Sequence, residues 1–237
     1  MSYPGPKNKI IVPSGIVIWL DVDDCLVDFH RHFNTYLRKQ GYDIPKDYKP
    51  QKYSYAELMP EKEFLKHFND LGDHWPAKVR ALAGAAEFTR RLSEMGCRVI
   101  LITSVNGHQG PERIQNLVKH HIYFDEIYLT KGRQKSEFAS WLSTRYVDSR
   151  GKQVRSILID DYAKNSIEFI KMVPNSVSVT MDVGYSKEWI EKIKGKKSSK
   201  KIVVTPKNAE EMYEETFKMI AKLLTRHGKK RSKKKNN

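Results

Sequence analysis

The 237-residue chain predicts an α/β fold, a parallel sheet covered by helices with a small, mainly helical insertion near its start. Three observations predict it. The apolar runs Ile16–Leu20, 97–102 and 154–159 lack the polar alternation of a half-exposed strand, so they suit strands buried on both faces. Between them lie helical patterns, in the order expected when each strand returns to the sheet through a helix. Each run also ends in polar residues able to do chemistry, which is where open α/β sheets bind ligands. An apolar content of 39% suffices for one sizeable core and a small accessory lobe.

The first strand, Ile16-Val17-Ile18-Trp19-Leu20, stops abruptly at Asp21-Val22-Asp23-Asp24. Residues 29–81 break the alternation, with short helical patterns, prolines at 45, 50, 60 and 76, and many aromatics, so they form the insertion. Gly84-Ala85-Ala86-Glu87 opens a helix leading into the second strand, which delivers Thr103-Ser104. A helix over 111–120, a strand over 124–129 and a helix over 136–143 follow. The third buried strand ends in Asp160-Asp161, after which come a helix over 164–172 and a strand over 176–180. The α/β core is thus 10–28 plus 82–185. Residues 186–227 form a C-terminal extension, with a short strand at Ile202-Val203-Val204 and a helix capped by Asn208 that ends near Gly228. Met212, Phe217, Met219, Ile220, Leu223 and Leu224 recur at helical spacing, a stripe suited to packing on the core. Residues 228–237 read as a disordered basic tail.

A carboxylate at a strand end can attack an electrophile, a second can move protons, and the pair can hold a hard cation through oxygen. The competing reading of Asp21–Asp24 is an acidic turn that closes on its own backbone. An EF-hand loop is disfavoured because Leu26 stands where that loop requires glycine. Thr103 and Ser104 are small hydroxyl donors suited to a phosphoryl oxygen, and Lys131 and Lys135 bring ammonium groups to the next helix start.

In this order and context the residues resemble the haloacid dehalogenase superfamily, whose motifs are Asp-x-Asp, a Thr or Ser ending a strand, a Lys and a terminal acidic pair. The resemblance covers about residues 14 to 185 and implies a Rossmann-like core with a cap inserted between the first two motifs. It implies Asp21 as nucleophile, forming an aspartyl-phosphate, and Asp23 as general acid and base. Thr103 would hold the phosphoryl group, and Lys135, preferred to Lys131, would neutralise its charge. Mg²⁺ would be held by Asp21, by Asp23 through its carbonyl and by Asp161, with Asp160 orienting water around it. The second aspartate separates phosphatases, which must protonate an oxygen, from dehalogenases, which expel halide.

Asp21-Val22-Asp23-Asp24-Cys25-Leu26-Val27-Asp28-Phe29, Ile102-Thr103-Ser104 and Leu158-Ile159-Asp160-Asp161 are similar to segments of the deoxyribonucleotidase-type members, with Ala83-Gly84-Ala85 in support. That likeness implies that Phe29 and Ser104 contact substrate. Two positions depart from it: Asp24 stands where glycine is usual, and Val105 where proline is common. Most cap aromatics, among them Phe33, Tyr36, Tyr42, Tyr53, Tyr55, Phe64, Phe68 and Trp75, are expected to form the lobe's own core, leaving one or two to stack on a base.

The formal charge of +15 falls to +3 when two lysine-rich runs, 192–201 and 229–235, are set aside, so the core itself is not strongly basic. Such runs attract phosphate polymers such as nucleic acid, or anionic lipid surfaces. Cys25 and Cys97 fit packed thiols rather than a disulfide or metal site. No apolar run is long enough to span a membrane and no secretory signal is evident, so the cytoplasm is the default location. Three functional classes follow: a Mg²⁺-dependent phosphatase on nucleoside monophosphates or similar small phosphoesters, a polynucleotide-end phosphatase using the basic runs, and a non-catalytic nucleic-acid-binding protein on the same scaffold.

Overall fold

The computed structural model describes residues 8–194, 201–205 and 208–233, with side chains described for all of these except 53 and 226–233. The central strand β2 (Ile16–Leu20) is fully buried along its length. Its alternate residues feed two cores. Ile16, Ile18 and Leu20 join one cluster, with Phe88, Leu92, Leu117, Met212 and Ile220, whereas Val17 and Trp19 join the other, with Ala139, Leu142 and Phe169. This two-sided burial is why the run shows no polar alternation.

Around β2 stand β3 (Arg98–Thr103), β4 (Glu126–Leu129), β6 (Arg155–Ile159), β7 (Ser176–Met181) and β8 (Ile202–Thr205), in the spatial order β4-β3-β2-β6-β7-β8 and all parallel. A separate two-stranded parallel pair, β1 (Ile10–Ile11) with β5 (Tyr146–Val147), is too short to have left a periodic signal. Helices α3 (Ala85–Glu94), α4 (Gly110–Lys119) and α8 (Ala209–Lys233) cover one face, and α5 (Lys135–Ser143) and α6 (Ala163–Met172) the other. A short α7 (Lys187–Ile193) precedes β8. Strand order reverses at β2, whose neighbours β3 and β6 lead to opposite edges, so the carboxyl end of β2 is a topological switch point.

The core does not stop at 185. β8 pairs with β7 as the sixth strand, and α8 stacks Tyr213 on Phe88 with ring centroids 4.1 Å apart, so the extension is part of the same packed body. The helix also runs through Gly228 to Lys233 rather than ending at the glycine. One glycine costs a helix only about 1 kcal/mol, and the flanking lysines are good helix formers. Of the first basic run, 195–200 lie outside the described residues, while Lys192 and Lys194 pair with Glu188 and Glu191 on their own helix. Of the second run and the predicted disordered tail, 234–237 and the side chains before them likewise lie outside.

Between β2 and α3 the chain builds a lobe from α1 (Phe29–Lys39), α2 (Glu61–Asp70) and two 3-10 turns, Tyr53–Tyr55 and Trp75–Lys78. It has its own core of Phe33, Leu37, Ile44, Tyr55 and Met59, flanked by Tyr36, Tyr42, Tyr48 and Phe64. Most cap aromatics thus serve the lobe itself. Entry and exit are tied together: the Asp28 N–H donates to Arg80 O at 2.9 Å and the Leu82 N–H to Leu26 O at 2.9 Å. Gly184 seats the lobe on the core, since a Cβ there would lie 2.6 Å from Pro50 O.

Candidate active site

Parallel pairing of β2 with β3 and β6 brings Asp21, Thr103 and Asp160-Asp161 to one end of the sheet, because all three strands finish on that side. Lys135, the first residue of α5, reaches in from the helix start. Its Nζ lies 2.6 Å from Asp21 Oδ2 and 3.0 Å from Asp160 Oδ2, with Lys135 itself 6% exposed. Lys131 is exposed and instead lies over Gly107, so of the two sequence candidates only Lys135 joins the carboxylates.

Charge at this site is under-compensated. Burial pushes the Asp21 carboxyl up to about 7, with Lys135 pulling it down and Asp160 and Asp23 adding to the rise. Burial, Asp160 and Asp21 also hold Asp161 well above the ordinary carboxylate range. Burial opposes the Lys135 ammonium, yet Asp160 and Asp21 more than offset it and its pKa lies well above that of a free lysine. Asp160 is saturated, accepting from Lys135, from Asn165 Nδ2 at 2.9 Å and from the Tyr162 N–H at 2.9 Å. It therefore holds the lysine, while Asp21 accepts from Lys135 and from the Val22 N–H at 2.7 Å.

Ligand atoms of Asp21, Asp161 and Cys25 lie within 4.8 Å of one another. The two carboxylates fit a hard divalent cation, which takes oxygen ligands and would relieve their crowding. Cys25 does not fit as a ligand for it. Burial and the neighbouring acids raise its thiol pKa well above the usual value, and the protonated thiol points at Asp161 Oδ1 from 3.8 Å. Cys97 is likewise a buried free thiol.

Thr103 is fully buried, and its Oγ1 has no hydrogen-bond partner among the described residues. An orphaned hydroxyl beside a nucleophile candidate is what an absent oxygen ligand would satisfy. Ser104, next along, is exposed. Phe29 sits where lobe meets core, its ring centroid 5.2 Å from Trp75, 5.7 Å from Phe33 and 6.0 Å from Phe68.

Asp24 adopts φ 57°, the left-handed conformation that glycine usually supplies, and aspartate is among the few side chains that tolerate it. Its carboxylate receives the His30 Nδ1 at 2.5 Å, linking the motif loop to the first lobe helix.

Two neighbours of the acids escaped the sequence reading. Arg113, fully buried on α4, places Nη2 2.6 Å from Asp23 Oδ1. Tyr185, in the turn after β7, donates its hydroxyl to Asp161 Oδ2. A mid-helix arginine carries no signal of burial, whereas Tyr185 lies just past a fourth strand end and that position marks it.

No protein-family profile and no curated relative matches the chain. Solved structures do share its fold. A phosphonoacetaldehyde hydrolase-like protein from Oleispira antarctica superposes with a TM-score of 0.55 at 10% identity, covering 94% of this chain and 99% of that one. A predicted phosphatase from Clostridium acetobutylicum superposes with a TM-score of 0.55 at 14% identity, covering 88% and 100%. The chain therefore shares the Rossmann-like α/β fold of these two proteins, with a helical insertion between β2 and α3. No helix among the described residues is long and apolar enough to cross a membrane.

Proposed function

We propose that this chain is a Mg²⁺-dependent phosphomonoester hydrolase that works through an aspartyl-phosphate on Asp21 and takes nucleoside monophosphates or similarly small phosphoesters. The observation that carries the reading is the buried contact of Asp21 with Lys135 beside Asp161 and the orphaned Thr103 hydroxyl. A surface acidic turn would need neither the lysine nor the burial.

A carboxylate oxygen of Asp21 attacks phosphorus as the ester P–O bond breaks, and Asp23 gives its proton to the departing alkoxide. Asp23 then takes a proton from the water that attacks phosphorus, the P–O bond to Asp21 breaks, and inorganic phosphate leaves. Lys135 and Thr103 face the charge that gathers on the equatorial oxygens. Asp21, Asp161 and the carbonyl of Asp23 would hold the Mg²⁺, which supplies charge neutralisation at the phosphate. Tyr185 and Cys25 hold Asp161 in place, and Asp160 holds Lys135.

Small substrates are favoured by the burial of the site. Asp21, Lys135 and Asp161 are each under 8% exposed, which leaves little room beside them for a bulky ester. Phe29, packed against Trp75, and the exposed Ser104 would contact the leaving group and a phosphate oxygen. The test is phosphate release with Mg²⁺ from nucleoside monophosphates, sugar phosphates and a 3′-phosphorylated oligonucleotide, with Asp21→Asn as control. Release that Asp21→Asn abolishes supports the mechanism, whereas a fully active Asp21→Asn refutes it. Preference for the oligonucleotide would replace the small-ester reading.

A further inference from the structure

Arg113 is an unusual residue to find at 0% exposure with one acidic partner. Its Nε and Nη1 meet no acceptor among the described residues. A buried guanidinium with a single carboxylate recovers less than its desolvation costs, and an apolar side chain of similar volume would stabilise the helix packing better. Structural need alone does not account for it.

What surrounds Arg113 comes from the lobe's return segment. Its guanidinium carbon stacks over the Trp75 ring, 5.1 Å from the centroid. One turn further along α4, Asn116 Nδ2 donates to Ala77 O at 3.2 Å and to Val79 O at 2.7 Å. At the start of α4, Glu112 meets His74 at 3.0 Å, and His108 just before it meets Asp73 at 2.9 Å. The face of α4 that grips Asp23 is thus the face on which residues 73–79 dock.

We infer that Arg113 is a positioning residue that aims the Asp23 carboxyl at the leaving oxygen, and that Trp75 makes this aim depend on seating of the lobe. The inference rests on the phosphatase reading above. Only a poor leaving group, such as the alkoxide of a nucleoside or sugar, needs the proton that Asp23 delivers; an aryl oxide such as p-nitrophenolate leaves without it. A merely structural arginine would affect both alike.

The experiment measures kcat/KM, which reports the first phosphoryl transfer, for a nucleoside 5′-monophosphate and for p-nitrophenyl phosphate in wild type, Asp23→Asn, Arg113→Met, Arg113→Lys and Trp75→Leu. In Arg113→Met the alkyl ester is expected to lose about 10²-fold more than the aryl ester, the scale of general acid catalysis. Asp23→Asn should show the same selectivity, larger in size. Arg113→Lys should recover part of the loss, and it carries the test if Arg113→Met does not fold. Trp75→Leu should shift the ratio in the same direction by less. Equal losses on the two esters, or none, overturn the inference and leave the phosphatase reading standing. A wild-type protein that hydrolyses neither ester overturns both, since Asp23 then has no proton to deliver.

Discussion

The two ends of the sheet each gather carboxylates, and they treat them in opposite ways. At the amino end, Glu126 on β4 receives the hydroxyls of Tyr128 and Tyr146 and the guanidinium of Arg98, 3.1 Å away. Asp125 beside it takes Arg98 and the Val99 N–H. Burial alone would raise the Glu126 carboxyl, yet these donors more than offset it and leave it below its ordinary value. At the carboxyl end, Asp21, Asp160 and Asp161 share a single ammonium, and Asp21 and Asp161 are raised. One cluster is finished as a structural joint. The other is left short of positive charge, which is the condition a divalent cation would meet.

The comparison can be broken most sharply at its two acids. Asp21→Asn should lower phosphate release by about 10⁴-fold or more, the scale of losing a covalent nucleophile, while leaving the melting temperature of the metal-free protein unchanged or higher. Phosphate assays and thermal melts check both halves. Glu126→Ala should do the reverse, costing about 3 kcal/mol in urea unfolding because Arg98, Tyr128 and Tyr146 lose their acceptor together, with kcat retained in the folded fraction.

A smaller effect concerns the lobe. Gly184→Ala places a Cβ against Pro50 O and Gln51, and overpacking of this kind costs about 1–3 kcal/mol. If closure is what shields the site, KM should rise about tenfold with the fold intact, as substrate titrations and circular dichroism would report. An unchanged KM would separate lobe seating from substrate retention.

The smallest effect is in pH, and its sign differs between the clusters. A carboxyl raised from 3.8 to about 7 makes the native state hold a proton that the unfolded chain has released, so Asp21 takes stability away as pH rises through that window. A depressed carboxyl does the opposite: Glu126 contributes stability above its unfolded value and loses it as pH falls below. Metal-free protein should therefore melt a few degrees higher near pH 5 than near pH 8. Mg²⁺ should recover most of that difference at pH 8, and Asp21→Asn should flatten the profile.

Much of this contrast was legible before any coordinates, but unevenly. β2 announced itself because both of its faces are buried, and the ends of β2, β3 and β6 announced the acids and Thr103 because a parallel sheet collects strand ends on one side. Lys135 was separable from Lys131 by its place at a helix start. Arg113 was not legible, since one arginine in a helix reads as a solvated charge until the fold supplies Asp23 and Trp75 as its neighbours. Nor was the amino-end cluster, whose members Arg98, Glu126 and Tyr146 lie on three strands of two different sheets and meet only in the fold. Gly228 misled because a glycine stops a helix only when the chain also turns there.

The hydroxyl of Tyr213 on α8 donates to the carbonyl of Cys25 at 2.6 Å, 188 residues away along the chain, inside the loop that carries Asp21 and Asp23. During synthesis the first motif emerges well before Tyr213, so this contact cannot form until a further 188 residues have been made. Until then the loop lacks this tie to α8. A nascent chain stalled before residue 213 would lack that tie, even with every proposed catalytic residue already made.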